Sequence, residues 1–203
     1  MIIATNPIVI SLCAALFFSE PLNLKKIAGL LISVTGAMIV ISDGQLDRLL
    51  GLGAGRGELL IFGCVISWVA YSIIGKKAMT NLSPLVSVCY SAVAGTLFLL
   101  IPALSNGLVD QLPAYGMVEW GSLFYLGFFG TTLGFFWYYE GIKEIGPMRA
   151  GMFINFVPVS AIILSFFILG EPLTLSLVIG GGCVISGVLL TNMGSLIKSD
   201  KTR

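Results

Sequence analysis

Long apolar runs alternate along this chain with short turns rich in Gly, Pro, Asn and Lys. A hydrocarbon core takes about 20 residues of apolar helix to cross. Seven runs approach that length: residues 1–18, 27–41, 59–74, 84–104, 120–139, 148–169 and 177–192. The second, third and seventh are short, and each can extend by a turn into its flanks. The pattern predicts an all-α, polytopic membrane helix bundle with seven transmembrane helices.

Two of these hairpins repeat each other. Residues 7–36 align with 158–187 at a fixed offset of 151, with seven of thirty positions identical. The identities are Pro7/Pro158, Glu20/Glu171, Pro21/Pro172, Leu22/Leu173, Leu24/Leu175, Gly29/Gly180 and Gly36/Gly187, and most other positions exchange one apolar residue for another. An apolar chain with an internal repeat reads as a transporter built by duplication.

Composition sharpens this picture. The chain is 57% hydrophobic and 10% charged, against roughly 25% charged in a soluble domain, and its mean hydropathy is +1.00. Lipid is therefore its solvent, and a multi-pass cell-membrane location is expected. Numbering the gaps alternately puts Lys25, Lys26, Lys76, Lys77, Lys143, Arg149, Lys198, Lys201 and Arg203 on one side and only Arg48 and Arg56 on the other. The basic side is cytoplasmic, so the C-terminus is expected inside and residue 1 outside. The two repeat copies lie five segments apart, an odd number, and so point in opposite directions. The Glu20 turn, followed by Lys25 and Lys26, faces the cytoplasm. The Glu171 turn, followed by Ser176 and Leu177, faces outward without a basic residue. This is an inverted-topology repeat, the arrangement that supports alternating access.

Several chemistries drop out. Histidine is absent, which removes the commonest metal ligand and acid–base group. The four cysteines (Cys13, Cys64, Cys89, Cys183) have no CxxC spacing and read as small buried hydrophobes. No phosphate-cradling loop, nucleophile–base pair or basic patch for nucleic acid stands out. No enzyme, catalytic residue, metal site or cofactor is expected.

The turn Leu169–Thr174, echoed at 19–23, with Pro158 before it and Gly180 and Gly187 after it, resembles the EamA repeat of the drug/metabolite transporter superfamily. Residues 67–77 (SWVAYSIIGKK) resemble the opening helix of that repeat, and residues 137–159 its third-to-fourth helix junction. The resemblance implies a ten-helix (5+5) inverted-repeat transporter with a central cavity between its halves. It implies four stretches here: 1–44, the last two helices of the first repeat; 45–56, an extracytoplasmic linker; 57–194, a complete second five-helix repeat; and 195–203, a cytoplasmic tail. Shifting Gly57 back by the repeat offset places the first half's start about 94 residues before Met1. An N-terminal truncation by three helices is therefore expected, with a seven-helix form completed as a homodimer as the alternative.

Polar groups inside a bilayer are costly and should face a cavity or another helix. Trp68, Tyr71 and Ser72 share one helix face and suit a small organic solute; packing is the competing reading. Tyr138 and Glu140 end the fifth run, where a buried acid could carry a proton coupled to solute; pairing of Glu140 with Lys143 or Arg149, and uniport, are the alternatives. Trp137 and Tyr139 read as headgroup-belt aromatics. Pro158 cannot donate to the Ile154 carbonyl, so a hinge is expected there, with Asn155 beside it and Pro7 as its equivalent. Glu20, Pro21, Glu171 and Pro172 read as structural turn residues at helix starts. The glycines at 127, 130 and 134, and those of the second and seventh runs, read as close-packing faces, with the Thr131 hydroxyl available to a cavity. The leading reading is a secondary transporter of small organic metabolites, working as an exporter. An inactive fragment and a seven-helix receptor are the competitors, and the receptor has no use for an inverted repeat.

Overall fold

A computed structural model describes residues 2–44, 56–170 and 172–199. Glu171, Arg48, most of the 45–56 linker and the end of the tail lie outside the described residues. Those described are mainly helical, with no strand among them. The elements are a 3-10 turn (Ile2–Thr5), α1 (Asn6–Phe18), α2 (Leu24–Ser42), α3 (Arg56–Ala78), α4 (Pro84–Ser105), short α5 (Leu108–Gln111), α6 (Met117–Tyr125), a π-helical run (Leu126–Leu133), α7 (Gly134–Ile145), α8 (Pro147–Met152), a second 3-10 turn (Phe153–Asn155), α9 (Phe156–Leu169) and α10 (Leu175–Ser199). Five stretches are long and apolar enough to cross a membrane: Leu24–Ser42, Leu59–Ala78, Pro84–Ser105, Pro147–Leu169 and Leu175–Asn192. Ile2–Phe18 is a shorter apolar helix. The fifth expected run is one helical path from Met117 to Ile145, with the π register at its centre.

The helices show lipid, not water, as their surroundings. Only 17% of the α4 span is buried, and Phe98 is 77% exposed beside exposed Leu97, Leu99 and Ile101. Such a continuous apolar face would be untenable in water and is what a hydrocarbon solvent requires.

The chain forms two bodies, Met1–Ile74 with Ile145–Arg203, and Gly75–Glu144. In the first, the sequence repeat reappears as repeated local structure. Each copy opens on a 3-10 turn (Ile2–Thr5; Phe153–Asn155) that starts five residues before its proline. The prolines explain it: lacking an N–H, Pro7 and Pro158 leave the carbonyls of Ile3 and Ile154 without their α-helical donors. The first helix of each copy ends on a left-handed residue, Ser19 (φ 53°) and Gly170 (φ 69°). The second helix is N-capped in both, by Asn23 Oδ1 accepting from Lys26 N–H (2.9 Å) and by Thr174 Oγ1 accepting from Leu177 N–H (3.3 Å).

The second helices of the two copies, α2 and α10, make the most extensive helix pair in this body, and its seam is built from the repeated glycines. A Cβ at Gly29 would lie 2.6 Å from the Gly187 carbonyl oxygen, and one at Gly36 would lie 2.5 Å from that of Gly180. The reverse contacts hold too: Gly180 meets Gly36 O and Gly187 meets Gly29 O. Position 29 of one copy thus meets position 36 of the other, in both directions. Reciprocal contacts of this kind are the mark of a two-fold relation, and they make the two helices antiparallel. Only glycine permits backbones to approach so closely. Beside the seam sit two small cores, Ala37, Val40, Val159 and Val184, and Leu30, Val34, Met152 and Val188. A third joins α1 to α3 through Ile10, Val65 and Val69.

In the second body, Ser83 Oγ caps α4 by accepting from Val86 N–H (3.3 Å), with Pro84 in its first turn. Lys76 Nζ donates to the carbonyls of Ile142 (3.1 Å) and Lys143 (3.3 Å), placing a cation at the C-terminal end of α7. Tyr139 is 3% exposed, and its ring lies so close to Gly75 that no side chain fits there. This corrects the belt reading for Tyr139; Trp137 is 65% exposed. Gly127 and Gly130 have no neighbour within reach of a Cβ, so in this body they do not form the close-packing face that their spacing suggests. The cysteine reading is corrected in part: Cys13 and Cys183 are half-buried, whereas Cys64 and Cys89 are exposed.

Candidate functional site

The expected α3 group forms as a group. Trp68 and Tyr71 rings sit 5.9 Å apart and tilted by 37°. Ser72 is buried, and its hydroxyl donates to the Trp68 carbonyl (2.9 Å), a bond within its own helix. Trp68 lines an apolar cleft of about 310 Å³, with Ile3, Asn6, Ile154 and Val157 among its other walls. A neighbouring cleft of about 320 Å³ is lined by Ala37, Asn155 and Pro158 together with the same Ile3, Ile154 and Val157. Each is at the lower end of the volumes typical of small-molecule sites.

The shared wall has a structural origin. Ile3 and Ile154 stand at equivalent positions of the repeat, 151 apart, and theirs are the carbonyls whose α-helical donors Pro7 and Pro158 remove. The prolines, read from sequence as hinges, therefore mark the place where the two copies meet a cleft on either side. Pro7 is fully buried. Asn155, in the 3-10 turn before Pro158, is 1% exposed and donates its Nδ2 to Ser33 Oγ on α2 (2.9 Å). Its Oδ1 is buried with no hydrogen-bond partner among the described residues, and so is Oδ1 of Asn6, which is 4% exposed. Sequence reasoning singles out Asn155, takes Asn6 only as the companion of the Pro7 kink, and reads Ser33 only as a small packing residue. The available signal was an amide beside each proline: one residue before Pro7 and three before Pro158.

Thr131, Tyr138 and Glu140 belong to the second body. The Thr131 hydroxyl donates to the Leu126 carbonyl (3.2 Å), and Thr132 to Gly127 (3.0 Å); both reach back five residues, the spacing of the π-helix that carries them. Tyr138 is half-buried with its ring 6.4 Å from Tyr139, and Glu140 is half-buried on α7.

Glu20 does not line either cleft. Its carboxylate lies against Gly146, where a Cβ would come within 2.5 Å of Oε1, and Gly146 holds a left-handed backbone (φ 87°) just before α8. Lys26, with Glu20 and Arg149 as charged neighbours, donates its Nζ to the Pro21 carbonyl (2.8 Å). The Glu20 turn is thus tied to the start of α8. Pro172 is exposed. Among the described residues no three His, Cys, Asp or Glu gather as a metal site.

The EamA-like transporter family matches residues 55–193. The chain belongs to that family. As an EamA-like protein it is 30% identical over 189 residues to the uncharacterized transporter YyaM of Bacillus subtilis, covering 93% of this chain and 62% of that protein. It is 29% identical over 188 residues to YetK, another uncharacterized transporter of that organism, covering 93% of this chain and 57% of its relative. It is also 28% identical over 199 residues to a probable terminal-alkyne amino-acid exporter of Streptantibioticus cattleyicolor, covering 97% of this chain and 64% of that protein. The chain spans about three-fifths of the length of these curated relatives. No solved structure matches it. The EamA-like chain is thus a multi-pass helical membrane protein.

Proposed function

We propose that this chain acts in the secondary transport of small organic solutes, as an exporter working by alternating access and without enzymatic chemistry. The observation that carries the proposal is the reciprocal glycine seam: Gly29 meets Gly187 and Gly36 meets Gly180 across antiparallel α2 and α10. Two copies related by a two-fold axis perpendicular to membrane-crossing helices are the basis of inverted-repeat transporters, in which the solute site lies at the repeat interface. The clefts at Ile3 and Ile154 lie at that interface, and Trp68, Tyr71 and Asn155 are the solute contacts of this reading. In the ten-helix, 5+5 plan, this chain supplies seven helices in the cell membrane with its C-terminus in the cytoplasm. The kinks at Pro7 and Pro158 supply the hinges. Glu140 supplies proton coupling: Glu140→Gln is expected to keep downhill exchange and lose its pH dependence.

The exporter named among the relatives supports a small organic metabolite as cargo. Reconstitution into proteoliposomes, alone and with an added segment spanning the missing length of the relatives, tests the reading. Solute counterflow dependent on the protein is expected. Its absence in both preparations across a panel of amino acids and metabolites would sink it.

A further inference from the structure

We infer that the paired clefts take an uncharged solute with an apolar body and an N–H or O–H donor head, which Asn6 and Asn155 receive through their carboxamide oxygens; this rests on the transport reading above and specifies the solute class. The two Oδ1 atoms are acceptors, each on a side chain more than nine-tenths buried and each without a partner among the described residues. A buried acceptor left unpaired costs free energy that a bound donor recovers. Asn155 cannot turn its oxygen away at no cost, because its Nδ2 is already engaged with Ser33. The two amides line adjoining clefts that share Ile3, Ile154 and Val157, and Trp68 offers a flat apolar wall on the Asn6 side.

The charge of the solute follows from the walls. Among the described residues, no acidic or basic side chain lines either cleft. A cation would be buried without a counter-ion, and an anion would face two carbonyl oxygens; both are costly. A neutral donor head meets neither penalty. Ile3, Ile154 and Val157 accept its apolar body.

Trp68 makes the inference testable without transport. Trp120 and Trp137 are exposed and line neither cleft, so Trp120→Phe with Trp137→Phe leaves Trp68 as the sole reporter among the three tryptophans. Titrating this full chain in detergent with phenylacetamide, its N,N-dimethyl derivative and phenylacetate separates donor, apolar body and charge. Phenylacetamide is expected to change Trp68 emission with a Kd roughly tenfold below that of the dimethyl compound, and phenylacetate to bind more weakly than either. Asn6→Val, which installs the residue found at equivalent position 157, should shrink the preference severalfold, whereas Asn6→Asp, which retains an acceptor, should preserve an N–H preference. Equal affinities for the amide and its dimethyl derivative, tighter binding of phenylacetate, or a preference unchanged in Asn6→Val would each overturn the inference. Donor-selective binding without flux would count against the transport reading alone; flux without donor selectivity would count against this inference alone.

Discussion

Ser19 and Gly170 show how one backbone demand is met in two ways. Both end the first helix of a repeat copy in the left-handed region, which glycine enters freely and serine only with a steric penalty. Ser19→Gly is therefore expected to stabilise the protein by about 0.5–1 kcal/mol, read as a raised midpoint of thermal unfolding in detergent; an unchanged or lowered midpoint would show that the turn is held by something other than its φ angle. Ser33 is the opposite case, since its hydroxyl is the partner of buried Asn155. Ser33→Ala should cost about 1–3 kcal/mol by orphaning the amide nitrogen, and unfolding in the same assay checks it. Of the polar residues, Asn155 was legible in the sequence as an amide three residues before its proline. Ser33 read only as a small packing residue, because a serine that serves as hydrogen-bond partner to a residue 122 positions away leaves no local trace. Tyr139 was misread as an interfacial aromatic for the same reason: the space it fills is made by Gly75, a glycine far from it in sequence.

At the scale of elements, apolar runs located the helices because the bilayer requires length and apolarity before it requires pattern. What they missed was register. The π-helical run from Leu126 to Leu133 falls where Gly127, Gly130 and paired threonines weaken α-helical preference, and run-length reading cannot distinguish one helical register from another. The 3-10 turns were half legible: Pro7 and Pro158 announced an interruption, and the structure places it on the residues just before each proline. The seam between α2 and α10 carries the firmest prediction here. Adding a methyl group at Gly36 or Gly180 drives it against the partner backbone rather than against a flexible side chain, and overpacking of this kind costs about 1–3 kcal/mol. Gly36→Ala and Gly180→Ala should each destabilise, whereas Gly127→Ala, with nothing near its Cβ, should not. Equal midpoints for all three variants in thermal unfolding would contradict the seam.

For the whole molecule, the duplication was visible as an offset of 151 because both copies keep the residues that backbone geometry demands: a proline at the kink, Glu-Pro at the turn and glycines at the seam. Residues free to vary within an apolar environment have diverged, which is why the solute contacts proposed above, unequal between the copies (Asn6 stands opposite Val157, and Asn155 opposite Ala4), could not be found by symmetry. Antiparallel packing of α2 on α10 sends the loops before them, at Ser19 and at Gly170, to opposite ends of the pair. If both helices cross the bilayer, those loops emerge in different compartments, and the basic residues beside the first (Lys25, Lys26) make the cytoplasm its expected side. Single cysteines at Ser19 and Gly170, in a background lacking the four native cysteines, should then respond oppositely to a membrane-impermeant thiol reagent applied to intact cells. Gly170→Cys is expected to react from outside, and Ser19→Cys only after the membrane is permeabilised. Labelling of both from the same face would be incompatible with an inverted repeat and, with it, with alternating access about the seam.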